Sequence, residues 1–373
     1  MIHAQRKDGL IPDIAPEYVI FSDGFVDSPE WGSAAVILPW MVYKWYGDKS
    51  ILDEAYQTMG KYVTYLESKS EQHILSHGLG DWFDYGPNPP GVAQLTPVAL
   101  TATAIYYYDV KLLADIARTL DKKKDAEQYT RWAEAIKNAF NAKFYDPVNK
   151  TYSTGSQTAI AMPLCVGLTD EKNKKDVLAS LCKSIAKDGF ALTAGDIGFH
   201  FLVEALSEGE SSEVLYRMVN RIDVPGYGFQ LTKGATALTE SWPALEEVSN
   251  NHLMLGHLME WFYTGLLGIN DAPDAIASDK IVLRPNPVGD ITWAKGQYLS
   301  PRGVIAVDWK IENGIFDIKC NIPLGVKTEI IIPKGYIISM SDLSHDKKFY
   351  VSSNRNTVIH LTGGEHRFRF GKE

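Results

Sequence analysis

Apolar residues recur at steps of three and four along the chain from about residue 33 to residue 266, the period of amphipathic helices. Leu52, Ala55, Tyr56, Met59, Val63 and Leu66 share one such face, behind a capping pair of Ser50 and Asp53. Thr96-Pro97 has the form of a cap and first-turn residue, and leads into Ile105, Tyr108, Leu112, Ile116 and Leu120. Asp121 opens the next helix, whose face is Ala126, Tyr129, Ala133, Ile136 and Phe140. Almost nothing separates the two, so they must pack as an antiparallel hairpin. Weaker helical patterns cover 156–168, 171–187, 196–207, 211–220 and 250–266, and another at 33–46 accommodates Pro39 only with a kink or a late start. About nine paired helices without an intervening strand pattern argue against a parallel sheet, and the lack of a fixed repeat length favours a closed α/α toroid over a solenoid.

Beyond Asp271 the period falls to two. Ile305, Val307, Trp309 and Ile311 alternate with Asp308 and Lys310, Asn313-Gly314 supplies a hairpin turn, and Phe316, Ile318, Cys320 and Ile322 alternate with Asp317 and Lys319. Further strands are expected near 280–283, 326–332, 357–361 and 366–370. The expected organisation is therefore a mainly α toroid over 1–270 and an antiparallel β-sandwich over 271–373.

Composition narrows the partners. The chain of 373 residues is 45% hydrophobic, and its 46 acids against 37 bases give a net charge of −9. Its basic runs, Lys122-Lys123-Lys124 and Lys172 with Lys174 and Lys175, sit at helix starts or loops, without the concentrated footprint of a nucleic-acid binder. No apolar stretch reaches the roughly 18 residues of a bilayer span, and the first residues carry no signal-peptide pattern. Neither nucleic acid nor a membrane is expected as a partner. Cys165, Cys182 and Cys320 read as packed core thiols.

Candidate chemistry lies in the connections between helices. Asp27-Ser-Pro-Glu30-Trp31-Gly32, Gly80-Asp81-Trp82-Phe83-Asp84-Tyr85-Gly86, Tyr227-Gly-Phe229 and Thr239-Glu240-Ser241-Trp242 combine aromatics, acids and glycines. Indole beside carboxylate suits a carbohydrate: the sugar's C–H face stacks on the ring, and carboxylates grip its hydroxyls or act as acid and base. Trp31 and Trp82 could equally plug the ends of a toroid; composition leaves both readings open. His252 and His257 are five apart, off the spacing of a zinc-binding helix, and no cysteine pair or acidic calcium loop occurs, so no metal and no cofactor is expected.

Taken together, Pro29 to Trp40, Tyr46-Gly47-Asp48, Gly80-Asp81-Trp82, Gln157-Thr158-Ala159, Lys233-Gly234-Ala235-Thr236 with Glu240 and Trp242, Asn251-His252 and Glu260-Trp261 resemble, in order and approximate spacing, the catalytic region of the α-L-rhamnosidases of glycoside hydrolase family 78. The resemblance implies an (α/α)6 toroid with a C-terminal β-sandwich and an inverting hydrolase of rhamnosides. It implies Glu240 as general base, His252 as a sugar contact and Trp31 and Trp82 as pocket walls, with Asp81 and Trp242 among the substrate-binding residues. Two departures stand out. The family's base lies in a Trp-Glu-Arg-Trp context, replaced here by Thr239-Glu240-Ser241-Trp242. The family's general acid comes from an Arg-x-Asp-Glu-Arg type segment that would precede residue 1. The toroid is accordingly expected to be incomplete at its N-terminus, with apolar faces left for a homo-oligomer or a preceding segment to cover, and the chain alone to be weak or inactive. The alternatives are a non-enzymatic carbohydrate-binding protein that keeps the pocket and a toroid enzyme acting on unsaturated or uronic sugars.

Overall fold

A computed structural model describes residues 1–19, 21–338, 349–353 and 357–372. By packing, the chain forms two units, Met1–Met41 with Asp48–His257, and Val42–Gly47 with Leu258–Glu373. In the first, short helix α1 (Pro29–Gly32) leads into α2 (Ala34–Tyr46), which carries Pro39 inside it, and then into α3 (Ser50–Lys69). The capping pair expected for α3 does not form: Ser50 instead sends both its N–H and its hydroxyl to Asp48 Oδ1, at 2.8 and 2.6 Å, so the preceding acid shapes the start. Helices α4 (Val98–Thr119) and α5 (Lys123–Phe144) make the expected hairpin, with Asp121 at φ +58° in the turn. Nor does Thr96 cap α4, because its hydroxyl pairs with Ser156 Oγ at 2.6 Å.

A small hairpin of β1 (Tyr145–Asp146) and β2 (Thr151–Tyr152) precedes α6 (Gln157–Val166), whose first turn is capped by Ser156 Oγ accepting from Ala159 N–H. Then follow α7 (Lys174–Lys187), α8 (Gly198–Glu208) and α9 (Ser212–Val219). Two segments differ from the sequence pattern. Tyr227-Gly-Phe229, expected as a connection, begins a helix, α10 (Tyr227–Thr232). The expected helix over 250–266 is broken into a 3-10 turn at Leu253–Leu255, a short α11 (Leu258–Trp261) and a π-helical turn Phe262–Leu267. Its C-terminal part packs on strands, which is why the packing boundary falls at His257 rather than where the alternating pattern starts.

Among the described residues, the second unit holds two five-stranded sheets. One contains β3 (Ile269–Asp271), β4 (Lys280–Leu283), β8 (Lys327–Ile331), β10 (Phe349–Ser353) and β11 (Thr357–Leu361); β4 and β8 pair parallel, the other neighbours antiparallel. The other, antiparallel throughout, contains β5 (Trp293–Ser300), β6 (Gly303–Glu312), β7 (Ile315–Ile322), β9 (Tyr336–Ile338) and β12 (Gly364–Lys372). The hairpin of β6 and β7 turns at Asn313-Gly314, both at positive φ, and buries Trp309 against Phe316, rings stacked at 5.4 Å.

The α4/α5 seam is built on Ile105, Leu112, Ile116, Ala126, Ala133, Ile136 and Phe140, all buried. Ile136→Ala, at a site with no solvent exposure, should cost about 2–5 kcal/mol, the range for truncating a core aliphatic side chain. Denaturant unfolding should show that loss in Ile136→Ala and almost none in the exposed Glu127→Ala.

Candidate active site

The segment 191–198 is the meeting point of four sequence motifs. Gln157, at the start of α6 and 2% exposed, grips it from below: its amide donates to the Ala191 carbonyl at 2.7 Å and its Oε1 accepts from Thr193 and Ala194 N–H. The 80–86 loop grips it from the side, with Tyr85 N–H donating to the Thr193 carbonyl and Asp196 N–H to the Trp82 carbonyl, at 2.9 and 2.8 Å. Asp81 completes this join. Its carboxylate is fully buried and accepts from Thr158 Oγ1, Gly195 N–H at 3.0 Å and Gly198 N–H at 2.7 Å. The last donor opens α8, where free N–H groups and the helix dipole favour an anion. Burial still raises the Asp81 carboxyl to about 6 against the lowering effect of those bonds.

The loop 238–252 reaches the same place. Glu240 N–H donates to the Ser249 carbonyl and His252 N–H to the Leu238 carbonyl, so the loop closes as a narrow ladder with Glu240 and His252 near its two ends. Glu240 Oε2 accepts from Ser249 N–H at 3.1 Å. His252 Nε2 lies 3.3 Å from Asp196 Oδ2. One side-chain donor atom from each of Asp196, Glu240 and His252 lies within 4.8 Å of the others. Asp196 is 3% exposed, and its Oδ1 has no hydrogen-bond partner among the described residues. Burial first, then Asp81 and Glu240, push its carboxyl up to about 8. A cation among these groups would need Asp196 ionised, against that rise, and would compete with the His252 contact. The arrangement suits a shared proton better than a metal ion.

The sequence-derived candidates therefore fall into distinct positions. Glu240 and His252, both partly exposed, come together. Trp82 follows Asp81 in the neighbouring loop, its backbone carbonyl bound to Asp196 and its ring edge-on to Phe25 at 5.3 Å. Trp31 lies on α1, next to Glu30; the chain just before it is tied to the same loop by Leu79 N–H donating to Ser28 Oγ. Asp81 and Trp242 have no polar atom to spare for a ligand. Trp242 is 1% exposed, donates its indole N–H to the Ala194 carbonyl at 2.7 Å, and packs against Phe199 and Tyr227. Both side chains thus brace the loops that carry Glu240 and Asp196. Asp196 itself escaped the sequence reading, although an acid between two glycines at the start of an apolar helix, Gly195-Asp-Ile-Gly198, was a visible signal.

A model of the bacterial α-L-rhamnosidase six-hairpin glycosidase domain matches residues 1–266, and one of the bacterial α-L-rhamnosidase C-terminal domain matches 268–340. The helical unit is thus the α/α toroid of the six-hairpin glycosidases, followed by a β-sheet region. The chain belongs to the bacterial α-L-rhamnosidase family. An α-L-rhamnosidase of Streptomyces avermitilis is 28% identical over 98% of this chain, and one of Alteromonas is 27% identical over 90%. Among solved structures, the α-L-rhamnosidase from Dictyoglumus thermophilum superposes with a TM-score of 0.86 at 28% identity, covering 99% of this chain. The Streptomyces avermitilis enzyme complexed with L-rhamnose gives 0.85 at 26%, also over 99%. The chain spans only 35% and 37% of the two sequence relatives and 42% and 35% of the two structures.

The join between the 80–86 loop and α8 leaves no room for a side chain at Gly195: an added Cβ would collide with the backbone of Asp81, Trp82 and Asp84. Gly195→Ala should lower stability by about 1–3 kcal/mol or more, because backbone cannot yield as a flexible side chain does. Chemical denaturation of the variant beside Gly234→Ala, where no atom lies within 4 Å of the added carbon, would check it; at Gly234 only the positive-φ strain remains.

Proposed function

We propose that this chain carries the water-activating side of an inverting α-L-rhamnosidase site, and that the whole protein hydrolyses terminal α-L-rhamnose from glycosides or polysaccharides. The observation that carries the reading is the convergence of Glu240, His252 and Asp196 within 4.8 Å, in a chain of this family. Glu240 is the base: one oxygen is held by Ser249 N–H, and the other remains to take a proton from water as it attacks the anomeric carbon. His252 orients a sugar hydroxyl beside it, and Trp82 and Trp31 offer apolar faces to the sugar ring and its methyl group. Asp81 and Trp242 act on substrate only through the loops they brace.

An inverting reaction needs an acid roughly 6.5–9.5 Å from the base. Four acids near the aromatic motifs are the candidates in this chain, and three of them are fully engaged. Asp81 is spent on three donors. Asp84 accepts from Gln94 and Leu95 N–H, and Asp27 pairs with Tyr65 and His77. Glu30 accepts from Thr101 through Oε1 alone; its buried Oε2 has no partner among the described residues, and burial raises its carboxyl to about 7. The engagement of Asp81, Asp84 and Asp27 favours a second reading, a carbohydrate-binding protein without turnover, while Glu30 keeps an acid available to the first. Turnover separates the two.

From an activated aryl α-L-rhamnoside the aryloxide leaves without protonation, which relieves the need for the acid while keeping the need for a base to take the proton of the attacking water. We expect slow aryl release by the chain, lost in Glu240→Gln, with no cleavage of natural disaccharides. Efficient cleavage of a natural rhamnoside would mean that one of the four acids has been misjudged; no release at all would favour the binding protein. In calorimetry, Trp82→Ala should weaken L-rhamnose binding by about 1–3 kcal/mol, the scale for losing a large apolar contact. Unchanged binding would make Trp82 a plug of the toroid.

A further inference from the structure

We propose that Asp196 is a positioning residue for Glu240: its carboxyl group holds the proton of the three-group cluster, fixes the His252 ring and leaves the negative charge on the glutamate. This deepens the reading of Glu240 as a base and rests on it.

Three observations combine. First, Asp196 cannot move away. Its own N–H is bound to the Trp82 carbonyl, and Gly195 and Gly198 on either side are pinned to the Asp81 carboxylate. Second, no lysine or arginine among the described residues acts on it. Asp81 acts on it from the 80–86 loop and Glu240 from the 238–252 loop, both acidic, and His252 meets it through one ring nitrogen at 3.3 Å. Two carboxyl groups this close cannot both ionise without a large cost, so one of them keeps a proton. Third, their surroundings differ in a way that decides which. Glu240 is partly exposed and receives a backbone N–H, both of which stabilise its anion. Asp196 is 3% exposed with Oδ1 unbonded, an environment that favours the neutral acid. Burial, followed by Asp81 and Glu240, sets its carboxyl at about 8, so it is protonated at neutral pH.

Asp196 is not the missing general acid. Its donor atom lies closer to that of Glu240 than the roughly 6.5–9.5 Å of an inverting pair, and its burial keeps it from a leaving-group oxygen. As a neutral acid it can donate from Oδ2 to His252 Nε2, which fixes the imidazole proton on Nδ1. Above its titration range a second charge would appear beside Glu240. That charge would raise the basicity of the glutamate and reverse the His252 contact, with Nε2–H donating to the carboxylate and Nδ1 left without its proton, so that the ring would offer the sugar an acceptor in place of a donor.

The direct test needs no ligand. In the full chain with carbon-13 in the Asp and Glu carboxyl groups, NMR titration from pH 4 to 9 should give Asp196 a midpoint near 8, falling by about 1 pH unit or more in Glu240→Gln. A midpoint in the ordinary carboxylate range, or one indifferent to Glu240→Gln, would overturn the proposal. So would a titration that changes on adding EDTA, because a bound cation would then be carrying the charge balance. The second readout is L-rhamnose affinity against pH. Wild type should lose affinity above pH 8, while Asp196→Asn, which mimics the neutral acid, should bind within about threefold of wild type at pH 6 and show no such loss. Matching pH profiles for the two proteins would reduce Asp196 to a structural role and overturn the proposal. If wild type bound no L-rhamnose at any pH, the sugar-site reading would fail, whereas the carboxyl titration would still judge Asp196.

Discussion

The Asp81 carboxylate is the constraint on which the rest of the site depends. It draws a side-chain hydroxyl from α6, the N–H of Gly195 and the N–H that opens α8 onto two buried oxygens. An ionised carboxylate out of water is tolerable only with such partners, and losing one would leave a charge costing several kcal/mol. Because the donors come from α6 and from the segment 191–198, both far along the chain from Asp81, satisfying the charge and assembling the site are the same event. Gly195 and Gly198 follow from it: a side chain at either would strike the atoms that carry or surround the carboxylate.

From that join the geometry propagates outward. Asp84, three residues on, accepts from Gln94 and Leu95 N–H and so fixes the far side of the same loop, leaving Trp82 held between two anchored acids. Trp242 carries the constraint the other way, through its indole N–H on Ala194, into the loop that bears Glu240. Gln230 and Thr239 both donate to the Ser241 carbonyl and finish that loop from beneath. The residues with spare polar capacity, Glu240 and His252, thus stand on backbone held by residues with none. The base proposed at Glu240 gains from such rigid support, since misplacement by an ångström costs orders of magnitude in rate.

The same economy explains why an acid can sit almost fully buried next to Glu240. The backbone positions of Asp196 are dictated by Trp82 and by the glycines at its sides, so its carboxyl is delivered into a pocket already acidic and has to answer by keeping its proton. Where Asp81 solves burial with donors, Asp196 solves it by neutrality. The two acids, one after each of two loop-closing glycines, show how the number of N–H groups within reach decides between those solutions.

Much of the architecture is written in local pattern. Alternation of apolar residues by three and four located the α4/α5 hairpin, alternation by two located β6 and β7, and Asn313-Gly314 located their turn, because these periods depend only on which face each side chain takes. The pattern failed where a competing partner lay far along the chain or belonged to a neighbouring residue. Thr96 gave its hydroxyl to Ser156, Asp48 took over the start of α3, and the last helical segment broke up where it packs on strands. The site divides in the same way. Glu240 and His252, which the fold brings together, were legible as motifs in order. That Asp81 and Trp242 are spent on the scaffold, and that Asp196 stands beside Glu240, depends on contacts across 117, 48 and 56 positions. Hydrogen-bond satisfaction at that separation is a property of the packed chain, and no local pattern encodes it.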